Sequence, residues 1–163
     1  MNVIRVATLF VALLALSLSG CGFRMQGATK LPAGLDRVYV ATKDELSPFA
    51  VELRRALDSA GAAAAVSAGE SDAVVRILGD RTGRRVLSVS TRNTPQEYEI
   101  VYSVEYAVER GDQQVVAPQK VELTRAISFS ESAVLAKDRE ERILRDAMAR
   151  DLADLVLRRL ESL

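Results

Sequence analysis

The sequence has no histidine, no tryptophan and a single cysteine in 163 residues, and each shortage removes a class of chemistry. Without histidine there is no imidazole to ligate zinc, to act as a general base near neutral pH, or to serve a nucleophile. One cysteine finds no disulfide partner within the chain. Charge of one sign is also lacking: 22 basic side chains face 22 acidic ones, so no global field draws nucleic acid. The catalytic options left are paired carboxylates or a serine-lysine dyad, and Ser132 with Lys137 is the nearest dyad on paper. Nothing near Lys137 gives it a reason to lose its proton. The composition points away from catalysis, and no metal or cofactor is expected.

What is present begins at the N-terminus. Arg5 supplies a positive charge, and Val6 to Leu18 form a charge-free apolar run of thirteen residues. As a helix of about 1.5 Å per residue this run covers about 20 Å of a hydrocarbon core roughly 30 Å thick, which suits an export signal better than a membrane span. The run ends in Leu18-Ser19-Gly20-Cys21, which resembles the bacterial lipobox. Residues 1–20 are therefore expected to be a cleaved signal, with Cys21 as the lipid-modified first residue of the mature chain. One acyl chain binds a membrane marginally and two or more bind it stably, so a mature lipoprotein stays anchored. Gly22, where lipoproteins kept in the inner membrane often carry Asp, favours the outer membrane, with the folded part in the periplasm. The remaining 143 residues suffice for one domain with a sizeable core.

Residues 21–34, with three glycines and one proline, read as a tether, and residues 35–163 as the domain. Arg37 to Thr42 alternates as a first strand. A helix follows, with Ser47 as N-cap, Pro48 at the first position, Phe49, Leu53 and Leu57 on one face, and Gly61 beyond its end. Ala62 to Glu70 is alanine-rich and weakly specified. Three strands are then predicted over 72–91, 97–110 and 114–129, with Gly83 suggesting a bulge and Pro118 an edge or a break. In the middle strand Tyr98, Ile100, Tyr102, Val104, Tyr106 and Val108 share one face, while Glu97, Glu99, Ser103, Glu105 and Glu109 dominate the other. A sheet so patterned is covered on one face only. Residues 138–160 read as an amphipathic helix with an apolar stripe of Leu144, Met148, Leu152, Leu155, Val156 and Leu160. Glu141 with Arg145, Asp146 with Arg150, and Asp154 with Arg158 are its i,i+4 pairs. The expected fold class is α+β: a two-layer sandwich whose largely antiparallel sheet of about four strands carries two helices on one face.

Several strings in this order resemble the lipopolysaccharide-assembly lipoprotein family, LptE: Cys21-Gly22-Phe23-Arg24-Met25, Arg92-Asn93-Thr94-Pro95-Gln96-Glu97-Tyr98, and Ala133-Val134-Leu135-Ala136-Lys137-Asp138. The resemblance spans essentially the whole mature chain. It implies a non-enzymatic outer-membrane lipoprotein, with the LptD β-barrel and lipopolysaccharide as partners. Such a protein plugs the barrel lumen, assists barrel assembly and helps place lipopolysaccharide in the outer leaflet. Arg92 and Lys137 match basic positions of the family pattern and would meet lipid A phosphates, with Arg84 and Arg85 as further candidates. The alternative for all four is ordinary solvated surface. The alternative for the whole chain is a structural lipoprotein of another envelope complex that does not touch lipopolysaccharide.

Overall fold

The computed structural model describes residues 31–128 and 134–163, the first four of the latter by backbone alone. Its elements are β1 (Arg37–Ala41), α1 (Pro48–Ser59), β2 (Ala63–Ala64), a 3-10 turn (Ala68–Glu70), β3 (Ala73–Val89), β4 (Pro95–Arg110), β5 (Gln113–Ser128) and α2 (Val134–Glu161). One five-stranded sheet runs in the order β2-β1-β3-β4-β5. β1 is parallel to both β2 and β3, and the β3-β4-β5 meander is antiparallel. The α+β class is as expected, with one strand more than the sequence suggested. The addition is Ala63–Ala64, whose two alanines carry little strand preference and extend because Arg37 and Val38 pair with them.

The sheet is built around β4. Ile100, Tyr102, Val104, Tyr106 and Val108 are all buried on one face, where Phe49, Leu53 and Leu57 of α1 and Met148, Leu152, Val156 and Leu160 of α2 pack over the sheet. Leu155, assigned to the stripe by sequence, is instead 38% exposed, while Ala149, Ala153 and Leu157 join the core. The small alanines suit the helix layer, where α2 packs against α1. Of the three expected i,i+4 pairs only Glu141 with Arg145 closes among the described residues, and Asp151 turns to Arg125 on β5 at 3.2 Å. Exposed pairs gain too little to fix two long side chains every time.

Local chemistry sets the ends of α1. Ser47 Oγ accepts from Ala50 N at 3.1 Å, and Pro48 spends no amide at the helix start. At the other end Gly61 (φ 89°) lets Ala62 N donate to Leu57 O and Gly61 N to Asp58 O, while Ala62 and Leu57 both enter the core, a Schellman closure. The expected bulge at Gly83 does not occur, since Gly83 pairs in register with Val101. The irregularities fall at Leu78, between Ile77 and Gly79, and on both sides of Ser88. Pro118 lies on the edge strand, in the register shift between Val116 and Gln119, where a missing N–H disturbs no ladder.

The open face is polar. Arg76 makes a two-pronged pair with Glu109 at 2.7 and 3.0 Å, which raises the guanidinium and holds the carboxyl below the usual range. Lys120 meets Glu122 at 2.6 Å, and Arg85 meets Glu99.

Under the helices, the Tyr102 hydroxyl accepts from Phe49 N at 3.2 Å and so pins the first turn of α1 to the centre of the sheet. Burial, then the neighbouring Asp80 carboxylate, pushes this hydroxyl far above its ordinary value, and burial also raises Tyr106. The folded chain thus keeps these protons to a higher pH than the unfolded chain does. The stability they confer is whole below about pH 10 and is lost as pH rises beyond it. Urea denaturation at stepped pH is expected to show this alkaline loss, and Tyr102→Phe should make it shallower. The same variant should cost about 1–2 kcal/mol at neutral pH, because Phe49 N–H loses its acceptor.

Candidate functional site

The long hairpin carries β3 and β4 well past β1, whose pairing with β3 ends at Arg76. The chain enters at the opposite end: Arg110, the last residue of β4, donates to Gly34 O at 3.2 Å, just before β1. Sixteen residues of β4, at about 3.4 Å each, set the chain entry roughly 50 Å from the β3-β4 turn. Gly34 and the turn therefore lie at opposite ends of the domain.

The turn itself is held by Ser90. Ser90 N donates to Thr94 O at 2.7 Å and Asn93 N to Ser90 O at 2.9 Å. Ser90 Oγ receives Arg92 N and Thr94 N, each at 3.2 Å, and sits 2.6 Å from Thr94 Oγ1. Asn93 takes a left-handed φ of 62°, a conformation asparagine tolerates better than most side chains. This geometry presents Arg92 at the tip, exposed and with no acidic partner among the described residues.

The other three basic candidates are placed differently. Arg84 lies on the helix-covered face, its guanidinium 4.7 Å above the Tyr98 ring and 3.6 Å from Glu141. Arg85, its neighbour in sequence, points to the open face and pairs with Glu99. The two are not one patch, because successive strand residues face opposite ways, and each already has a carboxylate. Lys137 belongs to the first turn of α2 by its backbone, and its side chain is outside the described residues. Its element starts at the Arg92 end: β5 finishes at Ser128 opposite Glu97, and Glu141, one helical turn beyond Lys137, reaches Arg84. Cys21 and Ser132 lie outside the described residues, so neither the lipidation site nor the serine-lysine dyad has a described geometry.

The sequence reading missed three features here. Val86, Leu87 and Val89 are about half exposed at the tip of β3, beside the arginines, and the register shifts on either side of Ser88 leave no mark in the alternation. Ser90 was passed over, although Ser-x-x-x-Thr between two strands is itself a turn signal. On the open face Gly79, Arg81, Ser103, Glu105 and Lys120 line a depression of about 180 Å³. Among the described residues no cluster of acidic or thiol side chains has the makings of a metal site.

The lipopolysaccharide-assembly family model, LptE, matches residues 35–160. The chain belongs to the LptE family. Its similarity to the LPS-assembly lipoprotein LptE of Yersinia pestis (strain Pestoides F) is 26% identity over 157 residues, covering 96% of this chain and 75% of that protein. The same figures hold for the LptE of Yersinia pseudotuberculosis serotype O:1b. Among solved structures, lipoprotein B of Nitrosomonas europaea superposes with a TM-score of 0.73 at 28% identity, covering 86% of this chain and 91% of that one. Rare lipoprotein B of Shewanella oneidensis gives 0.67 at 28% identity, covering 77% and 94%. The family match begins at Leu35, where the described fold leaves the tether.

The turn geometry makes a prediction of its own. Asn93→Gly should keep the turn, whereas Asn93→Val, a β-branched side chain at positive φ, should cost about 1–2 kcal/mol and expose the Arg92 and Thr94 amides. Amide hydrogen exchange checks both, and equal protection in the two variants would contradict the assigned φ.

Proposed function

We propose that this lipoprotein is anchored through Cys21 in the outer membrane. In this reading it sits within the lumen of an LptD-type β-barrel and helps pass lipopolysaccharide into the outer leaflet. Its role is to bind and position, not to catalyse. The observation that carries the reading is Arg92, exposed and without an acidic partner among the described residues, on a turn held by Ser90, at the end of the sheet where the backbone of α2 brings in Lys137. Guanidinium and ammonium groups are the side chains that phosphates favour. That end of the sheet lies about 50 Å from Gly34, and in this reading the anchor and the ligand contact serve different parts of the envelope. The membership of the chain in the LptE family and the mixed-sign polar face of the sheet, suited to a hydrated lumen, support the same reading. Arg84 and Arg85 enter it as secondary contacts, available only if lipopolysaccharide displaces Glu141 and Glu99.

The direct test is the double variant Arg92→Glu/Lys137→Glu, checked for folding by circular dichroism and titrated with lipopolysaccharide. Affinity is expected to fall at least tenfold, about 1.4 kcal/mol. Unchanged affinity in the folded variant would reject the contact and favour a structural lipoprotein of another envelope complex.

A second test concerns the anchor. If the signal and Cys21 are replaced by a cleavable signal without a lipobox, part of the protein should still fractionate with outer membranes, because the barrel also holds the domain. Complete release to the soluble periplasm would contradict enclosure.

A further inference from the structure

We propose that Thr94 provides a second anion-binding donor beside Arg92, its hydroxyl hydrogen pointing away from the turn towards a phosphomonoester oxygen of a lipid headgroup. This inference rests on the reading of the β3-β4 turn as the lipopolysaccharide contact.

Ser90 Oγ has three neighbours: Arg92 N at 3.2 Å, Thr94 N at 3.2 Å and Thr94 Oγ1 at 2.6 Å. Amide N–H groups can only donate, and a hydroxyl oxygen offers two lone pairs. The two amides occupy both, so the third contact is a donation from Ser90 O–H to Thr94 Oγ1. That leaves the hydrogen of Thr94 itself without an acceptor among the described residues, on a side chain that is exposed.

The same network excludes the backbone as the anion binder. The amides of Arg92, Asn93 and Thr94 all point inward at Ser90, through Oγ, O and Oγ respectively, so no nest of free N–H groups faces outward. An anion at this turn meets a guanidinium fork and one neutral hydroxyl two residues away. The nearby Glu97 carboxylate is engaged by Ser88 at 2.8 Å. A phosphomonoester, with several acceptor oxygens around one centre, can use both donors at once.

The test uses the full lipoprotein in detergent, titrated with bisphosphorylated lipid A and with its dephosphorylated counterpart. Thr94→Val should weaken binding of the phosphorylated lipid roughly three- to tenfold, the range of a typical net hydrogen bond, because solvent screens the headgroup charge at an exposed site. Thr94→Ser should restore it, and the dephosphorylated lipid should not respond. Unchanged affinity in Thr94→Val, or an equal loss for both lipids, overturns the proposal. Ser90→Ala loosens the turn but keeps the Thr94 hydroxyl, so it must lose less than Thr94→Val; an equal or greater loss assigns the effect to turn shape and also overturns it. Arg92→Gln separates the two claims. If it weakens binding and Thr94→Val does not, the Thr94 assignment alone fails; if neither does, the lipopolysaccharide reading of the turn fails as well. Inorganic phosphate titrated alone should bind far more weakly than the lipid, and equal affinity would overturn the headgroup assignment.

Discussion

The structure depends on one constraint: β4 has an apolar face that must be covered and a polar face that must stay wet. The buried run from Ile100 to Val108 takes five alternate side chains, two of them tyrosines, out of water. Full burial of large apolar side chains contributes about 1.5–3 kcal/mol each, less for the part that a denatured chain already hides. Both helices answer this demand, and Tyr102 adds direction to it by bonding Phe49 N. Because the cover lies on one side only, charged side chains gather on the other, paired across β3 and β4 and along β5. The hairpin is then free to run past β1 and carry its turn to the far end of the molecule.

That asymmetry also gives the domain two unlike ends, on which the proposed function rests. At one end Arg110 ties the meander to Gly34, just before β1. At the other a turn locked by one serine presents one arginine. A basic side chain in the turn at the end of a sheet is held less by packing than a core residue, so its position relies on the turn's own hydrogen bonds. In the proposed contact, Ser90 and Asn93 therefore matter as much as Arg92 itself.

Much of this was legible in the amino-acid order because one-sided burial writes a period of two into a strand, and β4 carries that pattern over its whole length. Ser47-Pro48 and Gly61 marked α1 because caps are local chemistry. Other elements were hidden for physical reasons. Ala63–Ala64 is a strand only because β1 pairs with it, and an edge set by a distant partner leaves no local trace. The register shifts at Leu78 and Ser88 avoid Gly83, since a bulge is set by the count of residues against the partner strand and not by the nearest glycine. In the site, Arg92 could be named from sequence, whereas the engagement of Arg84 by Tyr98 and Glu141 depends on α2 crossing the hairpin. The family resemblance carried the functional reading further than composition could, and the match over residues 35–160 bears that resemblance out.

The central claim is that this domain works inside a barrel and not as a free periplasmic protein. Gentle purification of the lipoprotein from outer membranes at native expression level, followed by mass spectrometry, tests it most directly. The account predicts a stable stoichiometric complex with an LptD-type β-barrel; a clean monomer would contradict it.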